Sequence, residues 1–136
     1  HAGEEGPPEY IWDSLNLLKV KRIDHGVQCL NDKKLVEKLV KDQTPLTVCP
    51  LSNVKLCVFD KLENHNLKKL LNKGLRVVVN SDDPAYFGGY LNKNLIDTSK
   101  ALNLGFEDIK KLIENSFKSS FLNEESKKDW LKKINS

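Results

Sequence analysis

The chain contains no methionine, no long apolar run and no C-x-x-C pair. No apolar stretch approaches the ~20 residues that span a bilayer, and the start lacks a basic segment followed by an apolar one. Neither a transmembrane helix nor a signal peptide is therefore expected. Since the chain also begins at His1, the lack of methionine predicts that its 136 residues are a fragment whose upstream part is absent.

The three cysteines, Cys29, Cys49 and Cys57, are odd in number and scattered. They predict neither a disulfide framework nor a cysteine-ligated zinc site, and they fit a reducing, cytoplasmic compartment. Charge of one sign is also lacking, because 22 basic residues face 19 acidic ones and leave a net charge of +3. That excess is too small to indicate nucleic acid as a partner.

The chain does have the composition of one globular domain, with 39% hydrophobic and 30% charged residues. A strand tip, a short polar loop and a helix recur about four times, with strands predicted at 20–24, 46–49 and 75–79. Alternating strands and helices favour a parallel sheet with right-handed crossovers. In a (β/α)8 barrel, catalytic residues gather at the carboxyl ends of the strands, and four such units would make half of one.

Ionisable residues stand at three of these tips. Asp82 and Asp83 directly follow the strand 75–79, and adjacent carboxylates need a cation, a shared proton or a hydrogen-bond donor nearby. The same Asp-Asp-Pro pattern is also typical of a solvated turn or a helix start. His25 follows the strand 20–24, and His1 and Glu4 lie in the opening loop. The repetition favours a shared site.

Other polar residues carry no comparable signal. Residues 51–57, which include Ser52, Asn53 and Lys55, are predicted to be a loop after the strand 46–49. A structural role is favoured for this loop, since Asn and Ser commonly bond their own backbone, although contact with a substrate stays open. Cys49 is predicted to be a small buried apolar residue. His65 is predicted only to start a short helix at 67–72 and is assigned no function.

Three short strings carry a family resemblance. His1-Ala2-Gly3-Glu4, Ile23-Asp24-His25-Gly26 and Ser81-Asp82-Asp83-Pro84 resemble, in this order, the last three active-site motifs of the adenosine/adenine deaminase family of zinc-dependent barrel hydrolases. HAGEEGPPEYIW, RIDHGV, LTVCPLSNVKLCV and NSDDPAYFGGYL resemble the adenine deaminase branch more closely. The resemblance implies that residues 1–136 are the C-terminal half of one (β/α)8 TIM barrel domain, with extra C-terminal helices.

The resemblance also implies a role for each residue. His1 and Asp82 would be zinc ligands, and Glu4 would protonate the purine ring at N1. His25 would orient and deprotonate the zinc-bound water, and Asp83 would hold the base at N7. The implied activity is hydrolytic deamination of adenine to hypoxanthine and ammonia in purine salvage, for which zinc lowers the pKa of its water toward ~7.

One departure from the family is large. The family carries a further His-x-His pair of zinc ligands on its first strand, and this chain has none. Catalytic zinc normally has at least three protein ligands, so the isolated chain is expected to hold zinc weakly and to be inactive without the N-terminal half of the barrel. Half a barrel exposes sheet edges and apolar surface, so self-association is also expected.

Two other functions stay open on these residues. The substrate could be adenosine or another aminopurine, because contacts to a ribose are expected partly from the absent half. The chain could instead be a binding or regulatory remnant that keeps the barrel surface without catalysis, and an upstream His-x-His strand would separate the two cases. The cysteine-type zinc deaminases are excluded, since the chain has neither H-x-E nor P-C-x-x-C.

Overall fold

The computed structural model describes residues 1–136. Three short strands alternate with helices: β1 (Ile23–Asp24), β2 (Leu46–Val48) and β3 (Val77–Val79), with α1 (Pro8–Asn16), α2 (Lys33–Asp42), α3 (Pro50–Lys55), α4 (Leu67–Asn72), α5 (Pro84–Phe87), α6 (Leu91–Ala101), α7 (Phe106–Ser119) and α8 (Glu124–Ile134). Two 3-10 turns, Val27–Asn31 and Leu62–Asn64, precede α2 and α4. The predicted mixed α/β class is confirmed. None of the helices combines the length and apolar composition needed to cross a membrane.

The three strands form one parallel sheet in the order β1-β2-β3. Leu46 pairs with Ile23 on one side and Val77 on the other. A single bridge extends the sheet beyond β1, where the Ala2 N–H donates to Asp24 O at 3.2 Å. The expected four units are thus three strands and one bridging residue, and the bridge holds the opening motif beside β1.

The strands are shorter than predicted: β1 and β3 begin later than expected, and β2 ends one residue early because Cys49 is the N-cap of α3. Val77 N donates to Leu75 O at 3.0 Å, which is a tight turn rather than a ladder bond. The three valines of β3 are all buried, as expected for a parallel strand covered on both faces. Asn115 of α7 donates from Nδ2 to Val77 O at 2.9 Å and fastens this helix to β3.

Capping explains how α2 is positioned. Asp32 Oδ1 accepts from Lys34 N at 2.8 Å and Leu35 N at 3.2 Å, so Asp32 is the N-cap. The other oxygen, Oδ2, accepts from Trp12 Nε1 at 2.8 Å and ties α1 to α2. Leu35 and Leu39 then point into the core and are fully buried. One aspartate therefore starts a helix and joins it to its neighbour.

The segment after β2 corrects the sequence prediction. Residues 51–57 were expected to be a loop, yet α3 spans Pro50–Lys55. Pro50 suits the first position of this helix because the N–H that proline lacks would have had no helical partner there. Ser52 and Asn53 are fully buried on α3. A helix rather than a loop therefore carries these two polar side chains to the sheet edge.

Candidate active site

A polar cavity of about 300 Å³ opens at the carboxyl ends of the strands. Its walls are mostly ionisable or hydrogen-bonding side chains: His1, Arg22, Asp24, His25, Thr47, Cys49, Asn80, Ser81 and Asp82. Three residues predicted from the strand tips, His1, His25 and Asp82, are among them. Parallel strands end at the same edge of a sheet, which is why tips far apart in sequence meet here.

His25 lies at the centre of the cluster and is only 1% exposed. Its backbone is left-handed, with φ +67°, a conformation in which His and Asp are enriched among residues other than glycine. This bend at the end of β1 sets the ring between two carboxylates. His25 Nδ1 lies 3.2 Å from Glu4 Oε1, and Nε2 lies 3.9 Å from Asp82 Oδ2.

Glu4 reaches His25 because the chain turns sharply at Gly3. Gly3 has φ +66°, and a Cβ there would lie 2.4 Å from Cδ1 of Ile11. Gln28 holds the turn from the other side, as its Nε2 donates to Glu4 O at 3.0 Å. Only glycine therefore allows the backbone to approach α1 this closely while the carboxyl of Glu4 faces the site.

Asp82 follows β3 and also has a left-handed backbone, with φ +57°. Its Oδ2 accepts from Ser52 Oγ at 2.7 Å, and its Oδ1 accepts from Asp83 N at 2.9 Å. Each oxygen thus has one donor. These bonds fix the orientation of the Asp82 carboxyl group.

Asp83 has a different position from Asp82. It is exposed and is the N-cap of α5, because its Oδ1 accepts from Ala85 N at 3.1 Å and Tyr86 N at 3.2 Å. It does not line the cavity. Both interpretations of the Asp-Asp-Pro pattern therefore hold, each for one residue. Asp82 belongs to the candidate site, and Asp83 starts a helix. A contact between Asp83 and a substrate stays a prediction.

His1 stands at the rim of the cavity, with a side chain that is 74% exposed. Its ring centroid lies 5.2 Å from that of His25, and its Nδ1 lies 3.9 Å from Asp24 Oδ2. Thr47 Oγ1 donates to Asp24 Oδ1 at 2.5 Å and holds that carboxylate in place. A carboxylate behind a histidine is the arrangement that commonly orients a metal-bound imidazole.

The donor atoms of the cavity suit a zinc ion. His25, Cys49 and Asp82 each offer one ligand atom, and these atoms all lie within 4.8 Å of one another. Burial, reinforced by the charges of Asp82 and Glu4, raises the pKa of the Cys49 thiol to about 12. Because the thiolate is the ligand form, the neutral thiol fits its predicted role as a small buried residue. Imidazole and carboxylate are the better donors here.

Two side chains that the sequence analysis left without a function complete the cluster. Asn53 Nδ2 donates to Glu4 Oε1 at 2.7 Å and lies 3.2 Å from His25 Nδ1. His65 Nε2 lies 3.2 Å from Asn53 Oδ1. Asn53 follows the β2 tip, in the segment for which a structural role was favoured and contact with a substrate stayed open. His65 had no signal in the sequence, because its position 12 residues further on meets Asn53 only in the folded chain.

The sequence model of the adenosine deaminase family matches residues 1–136. The chain belongs to this family. An adenine deaminase of Acinetobacter baylyi is 56% identical over 135 residues, which are 99% of this chain and 41% of that protein. The family resemblance inferred from the three motifs is thereby confirmed.

Solved structures agree with this assignment. The crystal structure of an adenine deaminase from Arthrobacter aurescens matches with a TM-score of 0.97 and 49% identity, over 99% of this chain and 41% of that chain. An amidohydrolase from Burkholderia ambifaria, solved with bound zinc, shares the fold with a TM-score of 0.90 and 24% identity, over 99% of this chain and 38% of that one. The chain spans about 40% of the length of these relatives.

Proposed function

We propose that this chain forms the C-terminal half of the (β/α)8 barrel of a zinc-dependent deaminase, which converts adenine and water to hypoxanthine and ammonia in purine salvage. The observation that carries the proposal is the meeting of Glu4, His25 and Asp82 around one cavity, with His25 3.2 Å from one carboxylate and 3.9 Å from the other. The relatives named adenine deaminase support adenine as the substrate.

His1 and Asp82 would hold the zinc ion, together with ligands from the part of the barrel outside this chain. When bound there, zinc supplies a nucleophile at neutral pH by lowering the pKa of water. Asp24 and Thr47 orient His1, and Ser52 orients Asp82 through the 2.7 Å bond to Oδ2. Both proposed ligands are thus supported by neighbours within the chain.

The residues of the chain divide the proton transfers between them. Deamination forms a bond from water oxygen to C6 and breaks the bond from C6 to the amino nitrogen, while one proton of water goes to N1 and the other to the departing amine. Glu4 delivers the proton to N1, which makes C6 electrophilic. His25 accepts a proton from the attacking water at Nε2, the nitrogen that faces Asp82. Its Nδ1 lies 3.2 Å from Glu4 Oε1, so Nδ1 carries the ring hydrogen and donates it to that carboxylate.

Asp83 would hold the imidazole edge of the base at N7. Its Oδ1 is engaged as the cap of α5, so Oδ2 is the oxygen that would meet the purine. The cap fixes the Asp83 carboxyl group before substrate binds, so less conformational entropy is lost when that group orients the base.

The test is a chimera in which this chain replaces the matching segment of the Acinetobacter baylyi adenine deaminase. The purified chimera is expected to contain about one zinc per chain and to release ammonia and hypoxanthine from adenine. Adenosine, supplied in parallel, tests the alternative substrate. The chain alone is expected to contain little zinc and to release no ammonia.

Each outcome decides one part of the proposal. A folded, zinc-loaded chimera that leaves adenine unchanged would overturn the activity, and faster turnover of adenosine would overturn the substrate. Turnover by the chain alone would contradict the need for the rest of the barrel. The chimera carrying Asp82→Ala is the matched negative control. It keeps the remainder of the Acinetobacter baylyi protein and all the other proposed site residues intact.

A further inference from the structure

A backbone amide sets the direction of the hydrogen bonds behind the cavity. Leu67 N donates to Nδ1 of His65 at 3.0 Å. A backbone N–H can only donate, so Nδ1 must be the acceptor and therefore carries no proton. A neutral His65 then bears its hydrogen on Nε2, and this atom lies 3.2 Å from Asn53 Oδ1.

This donor fixes which way the amide of Asn53 faces. With Oδ1 turned to the Nε2–H of His65, the two hydrogens of Nδ2 point to the opposite side. There Nδ2 donates to Glu4 Oε1 at 2.7 Å, the same oxygen that lies 3.2 Å from His25 Nδ1. A continuous series of donors therefore runs from Leu67 through His65 and Asn53 to Glu4.

We propose that Asn53 and His65 are a positioning pair that reserves Oε1 of Glu4 as a hydrogen-bond acceptor and leaves Oε2 to carry the proton given to the purine ring. This inference rests on the proposed function, in which Glu4 is the acid. A protonated carboxyl has two possible proton sites. Asn53 Nδ2 already donates to Oε1, so a proton on Oε1 would face a hydrogen of that amide. The proton of Glu4 is therefore favoured on Oε2.

Burial keeps the pair in one state. Asn53 is fully buried, and His65 is 3% exposed with the Phe59 ring centroid 4.3 Å from its own. Burial lowers the pKa of His65 to about 4, so the ring is neutral at pH 7. A polar pair inside a dry environment rotates only at the cost of its hydrogen bonds. Glu4 thus faces a donor that is already oriented before substrate binds.

Two substitutions of His65 separate positioning from helix capping. In the chimera, His65→Gln places an amide nitrogen near the original Nε2 and keeps the donor to Asn53, but it loses the acceptor for Leu67 N. His65→Asn does the reverse. Positioning predicts that kcat falls about 10- to 100-fold in His65→Asn and recovers most of that loss in His65→Gln, with zinc content and KM little changed. If His65 acts only by accepting from Leu67 N at the start of α4, kcat should fall more in His65→Gln than in His65→Asn.

Asn53→Asp provides an independent measurement. It keeps the shape and the contact with His65, but it replaces the donor that faces Glu4 by an acceptor. The expected result is a loss of kcat of about 100-fold, larger than the change in KM, with one zinc per chain retained. Parallel losses of zinc and of folded protein in all three variants, with kcat per zinc-loaded chain unchanged, would overturn the positioning pair.

The tautomer of His65 is measured without relying on activity. Nitrogen-15 spectra of histidine-labelled chimera are expected to show His65 as the Nε2–H tautomer from pH 6 to 8. An Nδ1–H tautomer would overturn the inference even in an inactive protein. Conversely, a wild-type chimera that holds zinc and the expected tautomer but does not deaminate adenine would overturn the proposed function alone.

Discussion

His25 and His1 face the same cavity, but they are held very differently. His25 is 1% exposed and lies within 3.2 Å of both Glu4 and Asn53. The His1 side chain is 74% exposed, and its Nδ1 lies 3.9 Å from Asp24 Oδ2. Within this chain, the residues proposed for proton transfer are enclosed, while the proposed metal-binding part is open on one side.

The largest effect is expected where the two parts meet, at Asp82. In the chimera, Asp82→Ala removes a proposed zinc ligand and the partner of Ser52, so zinc and activity should disappear together, with at least about a 1,000-fold loss of turnover. Asp83→Ala is the matched control, which should keep zinc and raise KM. The measurements are metal analysis and ammonia release, and full zinc in Asp82→Ala would show that the metal lies elsewhere.

Within the buried part, Glu4→Gln tests the acid. The amide keeps the size of the side chain and an oxygen to accept from Asn53, but it cannot deliver a proton to N1. We expect kcat to fall by about 100-fold or more while zinc content stays at the level of the unsubstituted chimera. Glu5→Gln, at the exposed neighbouring position, should change neither value. Equal kcat in both variants would remove Glu4 from the chemistry.

The buried part should also respond to acid. Burial holds the pKa of His65 near 4, against about 6.5 in an unfolded chain, so between these values the unfolded state binds the proton. Stability is therefore full above pH 6.5 and declines as the pH falls toward 4. From pH 7 to 5 this group should cost about 2 kcal/mol of the free energy of unfolding.

Denaturant unfolding of the chimera at pH 7 and 5, with and without His65→Gln, measures this difference. Acid release of zinc affects both proteins, so only the difference between their pH dependences is assigned to His65. Identical dependences would mean that His65 is solvated or already charged in the folded protein.

The smallest effect is expected on the open side. Thr47→Val keeps the size of the side chain but removes the donor to Asp24 Oδ1, which lies behind His1. Zinc affinity should fall by less than about 10-fold, which is a small effect for the loss of a residue that orients a metal ligand. Competition with a chelating dye measures it. A loss as large as that of Asp82→Ala would mean that the open side is held as tightly as the buried one.

Local patterns were sufficient to predict much of the fold. Asp32 directly precedes α2 and is its N-cap, and Asn123 directly precedes α8, with Asn123 Oδ1 accepting from Ser126 N at 2.8 Å. Both depend on contacts within three residues of the cap. The helix α3 was missed because Ser and Asn favour turns as readily as a first helical turn, and burial decided between them.

The sequence by itself determined the alternation of strands and helices, and it marked His1, Glu4, His25 and Asp82 as residues to be brought to one edge. Periodicity and strand tips are local properties, and parallel strands end on one side of a sheet. Only the tertiary structure decided that Asp83 caps a helix outside the cavity while Asn53 and His65 stand behind Glu4. Side-chain direction and burial depend on contacts between distant segments, and no local pattern contains them.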